Sequence, residues 1–278
     1  MKNTAITVYI DNKPHLVTEF GWLYRSWLYS GSNKTSDIVA FHHPDIESLP
    51  KDDGVIYIPH KPLTESSLMW SKYPFINSIW YLTQPEAEFL VGYKYLMRTD
   101  TDVFLTPNFP NLQPRLAAFG IGMFADIPAV VTRLAAVAER WSIQPSLNNI
   151  GSTFMAYSKH ALQYNRLHYE YCEKLVREEF HESDGAWPGW YIGVLTMYAG
   201  QLAALKYFGA GLTMGGLDVH CMSQDQMCST DYHIHAWHTW QYFSKFKWRK
   251  GEYRDYDMDK LDKNCIADYC LWIAGPGP

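Results

Sequence analysis

Strand-like and helical segments alternate over the first hundred residues, and this alternation most constrains what the chain can fold into. Ala5-Ile6-Thr7-Val8-Tyr9-Ile10, closed by the turn residues Asp11-Asn12, reads as a first strand. Phe20, Leu23, Tyr24, Trp27 and Leu28 then recur at helical spacing and stop near Gly31. Asp37-Ile38-Val39-Ala40-Phe41 and Val55-Ile56-Tyr57-Ile58 read as further strands. Thr83-Gln84-Pro85-Glu86 has capping-box spacing with proline in the first turn, which predicts a helix running toward Leu90. Tyr93-Lys94-Tyr95-Leu96-Met97 follows as a buried strand. This order predicts an α/β, Rossmann-like fold: a mainly parallel sheet with helices on both faces.

The second half changes character. Residues 129–141 carry Val130, Leu134, Val137 and Trp141 on one helical stripe. Ser158 is placed to cap a long helix whose face includes Leu162, Tyr171 and Leu175. A third helix is expected over 190–205, after a breaker-rich loop at 180–189. Tyr232-His233-Ile234-His235-Ala236-Trp237-His238 reads as a late strand, and Gly275-Pro276-Gly277-Pro278 as a disordered tail. With 278 residues, 47% of them hydrophobic and 19% charged, the chain can bury one large core. Its net charge of −5 offers no nucleic-acid footprint. Five cysteines at spacings that fit no usual zinc pattern predict free thiols in a reducing compartment. There is no apolar signal region and no run of roughly 20 apolar residues, so a cytoplasmic protein without a membrane span is expected.

Arg98-Thr99-Asp100-Thr101-Asp102 directly follows the strand ending at Met97. Carboxylates one residue apart in a turn can lean toward one hard cation, and oxygen ligands suit Mg²⁺ or Mn²⁺. The carboxyl end of a central strand in an α/β sheet is also where ligands bind. An Asp-x-Asp triplet is frequently no more than a solvated turn or helix cap. Here Val103-Phe104-Leu105 continues as apolar sequence, and aspartates embedded there are costly without a compensating cation. Haloacid-dehalogenase-type phosphatases share the local pattern but carry Thr or Val two positions beyond the second aspartate, where Phe104 stands. No paired-aspartate motif follows a later apolar strand, which also argues against a phosphatase.

Tyr95-Leu96-Met97-Arg98-Thr99-Asp100-Thr101-Asp102-Val103-Phe104 resembles the strand–DXD–strand signature of metal-dependent GT-A glycosyltransferases. His235-Ala236-Trp237-His238-Thr239-Trp240-Gln241-Tyr242-Phe243-Ser244-Lys245-Phe246 is similar to the C-terminal element of that family. Together these cover the architecture from Ala5 to about Trp248, and the chain looks most like glycosyltransferases of algae and large algal viruses. The resemblance implies a single GT-A-like domain over 1–278. Its nucleotide-sugar-binding half would be 1–110, its acceptor half 111–250 and its C-terminal extension 251–278, in the host cytoplasm if the protein is viral. It implies transfer of a sugar from a nucleotide donor, UDP-linked, to a glycan hydroxyl, with Mn²⁺ or Mg²⁺ at Asp100 and Asp102.

The same resemblance implies a histidine as a further metal ligand and a lysine facing the diphosphate. Lys245 fits the lysine, or is a solvated surface residue; Arg98 either contacts the diphosphate or holds the aspartates in place. Among His233, His235 and His238, the first two share a strand face and the third lies past the strand end. His235 is the choice and His238 the reserve. By position in the fold, Thr7, Tyr9 and Asp11 fall near the base and ribose.

Glu182 and Asp184 are candidate bases for an inverting reaction, although either also suits a helix cap; Asp218 and Asp225 are rivals, and a retaining enzyme needs none. The stretch Asn148-Asn149-Ile150-Gly151-Ser152-Thr153 lines a sugar pocket or forms a turn. Trp187, Trp190, Trp237 and Trp240 flank these segments as stacking platforms or core. Two other functions stay open: a noncatalytic sugar-binding protein, and a nucleotidyltransferase or sugar-nucleotide pyrophosphorylase. The latter would normally carry an early glycine-rich phosphate loop, which is absent after the first strand.

Overall fold

The computed structural model describes residues 2–124, 126–144, 146, 149–209 and 212–278. Its first strand, β1 (Thr4–Ile10), is buried along its whole length. Successive side chains feed two cores: Ile6, Val8 and Ile10 one, Ala5 and Tyr9 the other. Helix α1 (Pro14–Tyr29) opens with proline in its first turn and is followed by Gly31 at φ 73°. It lays Phe20, Leu23 and Trp27 on the first of those cores. Strands β2 (Ser36–His42) and β3 (Val55–Pro59) extend the sheet in parallel. A one-turn helix, α2 (Asn77–Trp80), precedes β4 (Tyr95–Arg98), which lies parallel to β1 with Thr7 beside Arg98. The helix expected from the capping box is a 3₁₀ stretch, Pro85–Gly92, without a side-chain cap. The Thr83 hydroxyl donates to the Trp80 carbonyl and accepts from Gln84 Nε2, at 2.6 Å each, and not from a backbone N–H of the 3₁₀ stretch.

The remaining elements are β5 (Val103–Leu105), β6 (Ala117–Ile121), α3 (Pro128–Arg140), β7 (Ile150–Tyr157), α4 (Ser158–Glu179) and α5 (Leu195–Phe208), followed by β8 (Leu212–Met214), β9 (Val219–His220), β10 (His233–His235), α6 (Lys245–Arg249) and α7 (Ile266–Ala274). The main sheet has the order β3-β2-β1-β4-β7-β6-β8, and β7 alone runs antiparallel to its neighbours. The carboxyl ends of β1 and β4 therefore share one edge. Helices α4 and α5 cover the face opposite α1 with Leu162, Tyr164 and Leu202. Helix α5 starts later than its apolar pattern suggests, because a bridge between Gly185 and Tyr191 keeps Trp190 in the preceding loop. Asn148 lies outside the described residues.

A second sheet, β5-β10-β9, sits beside the main one and carries its own core. Trp22 of α1 stacks on Phe104 at 5.6 Å between ring centroids, and Phe243 and Trp248 close around them. From α7, the Tyr269 hydroxyl donates to the Leu105 carbonyl at 2.6 Å. Helix α1 thus has two buried stripes. Phe20, Leu23 and Trp27 face the main sheet, whereas Glu19, Trp22 and Ser26 face the small one, where the Ser26 hydroxyl accepts from the Leu105 N–H at 2.9 Å. The tail is held in place: Trp248 Nε1 donates to the Gly275 carbonyl at 2.8 Å, and Arg254 Nε to the Pro278 carbonyl. No helix among the described residues is long and apolar enough to cross a membrane.

Candidate metal centre

Where β4 ends, the Thr99 N–H still donates to the Thr7 carbonyl at 3.0 Å, so the parallel ladder carries the chain into the Asp100-Thr101-Asp102 turn in fixed register. The turn leads into β5, which pairs with β10 so that Val103 lies opposite His235. One further bond, Ala236 N–H to the Asp102 carbonyl at 2.9 Å, locks the end of β10 over the turn. Oxygens of Asp100 and Asp102 and a nitrogen of His235 consequently lie within 4.8 Å of one another. His235 Nε2 is 3.3 Å from Asp102 Oδ1 and 4.0 Å from Asp100 Oδ2. Two carboxylates and one imidazole, at a partly open strand edge, fit a divalent ion of the Mn²⁺ or Mg²⁺ kind.

Charges around the centre are matched in pairs. Lys245, buried at the start of α6, approaches Asp102 Oδ2 with its ammonium at 2.5 Å. Burial alone would raise the Asp102 pKa, but Lys245 and His235 outweigh it and hold the carboxyl well below its ordinary range. Burial would likewise lower the pKa of His235, yet Asp102 and Asp218 raise it to about 10. Glu19, buried on α1, pairs with Arg249 of α6. Its pKa is lifted to about 7 by burial and by the Asp102 charge, against the opposing pull of Lys245 and Arg249.

Beneath His235 lies Asp218, by sequence order a rival base. It is buried and follows β8 in the left-handed region at φ 54°. Its Oδ2 accepts from the Thr153 N–H at 2.9 Å, and its Oδ1 faces His235 Nδ1 at 3.3 Å. A carboxylate on the far nitrogen of a ligating histidine fixes the ring and directs the other nitrogen outward. The carboxylate fits because Gly120 and Gly151 have no side chain: a Cβ on either would lie 2.0 Å from Asp218 Oδ2. Glycines inside two strand patterns were the available signal for this close approach. His233 plays a different part. Asp218 N–H donates to its Nδ1 at 3.1 Å, which leaves Nε2 to donate to the Thr99 hydroxyl at 2.9 Å. Burial lowers its pKa to about 4, so it is a neutral strut beneath the aspartate turn.

Other expected site residues lie on or beside β1 and β4. Arg98 donates to the carbonyls of Ser78 at 3.0 Å and Ser152 at 2.6 Å and to Asp100 Oδ1 at 2.8 Å, and so holds the aspartate in place. Thr7 is fully buried, bonded to the Met97 carbonyl and the Tyr81 hydroxyl at 3.0 Å each, and presents no surface to a nucleoside. Tyr9 lies at the carboxyl end of β1, stacked on Tyr81, with its hydroxyl toward the His60 carbonyl. Asp11 follows, paired with Lys13 at 3.1 Å.

His238 stands outside the ligand group, exposed, with its ring 5.4 Å from that of Phe246. Glu182 and Asp184 are exposed on the α4–α5 loop, where Glu182 lies 3.6 Å from His181 and the Asp184 carbonyl accepts from Ile192 N–H. Asp225 is also remote in its bonding, capped by Ser223 at 2.8 Å. Of the four tryptophans, Trp190 is sandwiched between Phe180 and Tyr198, while Trp187 and Trp240 are exposed.

Compared with solved structures, this mainly parallel sheet with flanking helices has the GT-A glycosyltransferase fold. An active-site mutant of LgtC aligns over 83% of this chain and 86% of its own at 9% identity, with a TM-score of 0.51. The galactosyltransferase LgtC in complex with donor and acceptor sugar analogs aligns over 78% and 75% at 9% identity and a TM-score of 0.48. The chain belongs to the family described as "Domain of unknown function (DUF7164)", which matches residues 1–270. No curated protein matches it in sequence.

Proposed function

We propose that this protein is a glycosyltransferase that moves a sugar from a nucleotide donor, UDP-linked, to a glycan hydroxyl. The observation that carries the reading is the convergence of Asp100, Asp102 and His235 at the carboxyl edge of the parallel strands, with Lys245 against the same carboxylate. Asp100, Asp102 and His235 would hold Mn²⁺ or Mg²⁺. Bound there, the ion supplies positive charge to a diphosphate as the glycosidic bond breaks. Asp218 aims His235, Arg98 fixes Asp100, and Lys245 adds a point charge to the same phosphate oxygens.

The neighbouring carboxyl end of β1, with Tyr9 and Asp11, supplies the nucleoside side, in keeping with ligand binding at strand ends of α/β sheets. Residues 1–110 thus serve the donor and 111–250 the acceptor and the last ligand. Residues 251–278, read from the sequence as an extension, contribute α7 to the core behind the centre. Trp187 and Trp240, exposed at 58% and 55%, are available to stack on acceptor sugars.

The test is a screen of UDP- and GDP-sugars with Mn²⁺, reading nucleoside diphosphate release with and without glycan acceptors. Release that depends on the ion and disappears in Asp100→Asn/Asp102→Asn supports the reading. Tight glycan binding with no response to any sugar nucleotide would favour a noncatalytic lectin, and pyrophosphate release from a nucleoside triphosphate would favour a nucleotidyltransferase.

A further inference from the structure

We infer that Lys245 acts as a stand-in cation, holding the metal position closed until a diphosphate arrives, so that divalent ion and nucleotide bind with strong positive coupling. The inference rests on the reading of the centre as a metal–diphosphate site and adds an order to its filling. Its basis is how Asp102 is used. Oδ1 faces His235 Nε2 at 3.3 Å and Oδ2 accepts from Lys245 Nζ at 2.5 Å, so both oxygens are engaged. The lysine is itself buried, 6% exposed, and therefore not a solvated residue that drifts near the carboxylate.

A buried ion pair of this kind is stable as a unit, and either member left alone is strongly disfavoured. An ion entering by itself would set two positive charges beside the ammonium and compete with it for Asp102. Glu19, the other carboxylate on this side of the centre, already carries Arg249 on one of its oxygens. A diphosphate changes the balance: its oxygens offer the ammonium a new partner, and the flexible lysine stem allows the head to swing across. Asp102 would then be free to hold the ion, whose charge the same diphosphate would help to balance. Each ligand removes the obstacle to the other, and the coupling is reciprocal by linkage.

The test is calorimetric titration of Mn²⁺ into the full chain, alone and with saturating UDP, in wild type, Lys245→Met and Lys245→Gln. Thermal melts verify that each variant is folded, and the glutamine variant keeps polarity should methionine prevent folding. Wild type should bind Mn²⁺ weakly alone and at least ~30-fold more tightly with UDP, a coupling in the middle of the usual range. Removing the ammonium should tighten binding of Mn²⁺ alone by about tenfold or more and abolish most of the gain from UDP. If either folded variant binds Mn²⁺ alone no better than wild type, or keeps the full UDP gain, the stand-in role is overturned while the metal site stands. If wild type binds no Mn²⁺ even with UDP, the underlying metal–diphosphate reading fails as well.

Discussion

Replacing Asp218 with asparagine keeps the size of the side chain and exchanges one oxygen for an amide nitrogen, which separates the electrostatic role of this residue from its packing. The amide oxygen must take the Thr153 N–H, now bonded at 2.9 Å, because the amide turned the other way would set two donors face to face. The NH₂ group then lies against His235 Nδ1, where a carboxylate oxygen now stands at 3.3 Å. Nδ1 must become the acceptor, and the neutral imidazole carries its proton on Nε2, the nitrogen that faces Asp100 and Asp102. Disturbing the carboxylate behind a ligating histidine typically costs 10–100-fold in metal affinity, or about 1.4 to 2.7 kcal/mol. Mn²⁺ titration followed by electron paramagnetic resonance, with UDP present, should show that loss. Nitrogen NMR of metal-free His235, which carries protons on both nitrogens in wild type because its pKa is raised to about 10, should show Nδ1 deprotonated in the variant. A variant that binds Mn²⁺ as tightly as wild type and keeps the proton on Nδ1 would refute the orienting role of Asp218.

Alanine at Gly120 or Gly151 should expel the same carboxylate, since its Cβ would stand 2.0 Å from Asp218 Oδ2. Mn²⁺ affinity should fall at least as far as in Asp218→Asn, and denaturant melts should lose about 1–3 kcal/mol through overpacking. Trp22→Ala removes the ring stacked on Phe104 and should cost about 3–5 kcal/mol in a chemical melt. Metal binding should weaken with it, because β5 and β10 hang on that contact. Burial drives the His168 pKa down to about 3, and its ring is bonded to the Thr196 carbonyl at 2.7 Å. A folded-state value below the ordinary 6.5 means that the unfolded chain takes the proton first. Stability should therefore be full above pH 6.5 and decline as the pH falls toward 3, by up to ~1.4 kcal/mol per pH unit from this group. Folded His168→Gln should show a flatter profile between those values in melts across pH.

The parallel half of the main sheet and the aspartate turn were legible because they rest on local signals. Uninterrupted apolar runs announce strands buried on both faces, and Asp100 and Asp102 interrupt one such run. Local signals fail where a side chain serves two partners. Thr83 has the spacing of a helix cap but bonds backward to Trp80, and Arg98 beside the aspartates is consumed by two distant carbonyls. Glu19, and the place of Asp218 behind His235, are not legible for a related reason: these roles exist only once α1 meets the small sheet and the turn after β8 passes between two strand glycines. The choice of His235 over His238 depends on the register of β10 against β5, which a three-residue strand does not encode in its composition.

The most direct measurement of the central claim is an anomalous difference map from crystals grown with Mn²⁺ and UDP. The account predicts a single strong peak coordinated by Asp100, Asp102 and His235 and by oxygens of both phosphates, with Lys245 turned from Asp102 to the diphosphate. A diphosphate bound at the β1–β4 edge without an ion at those three side chains, or an ion bound elsewhere, would contradict it.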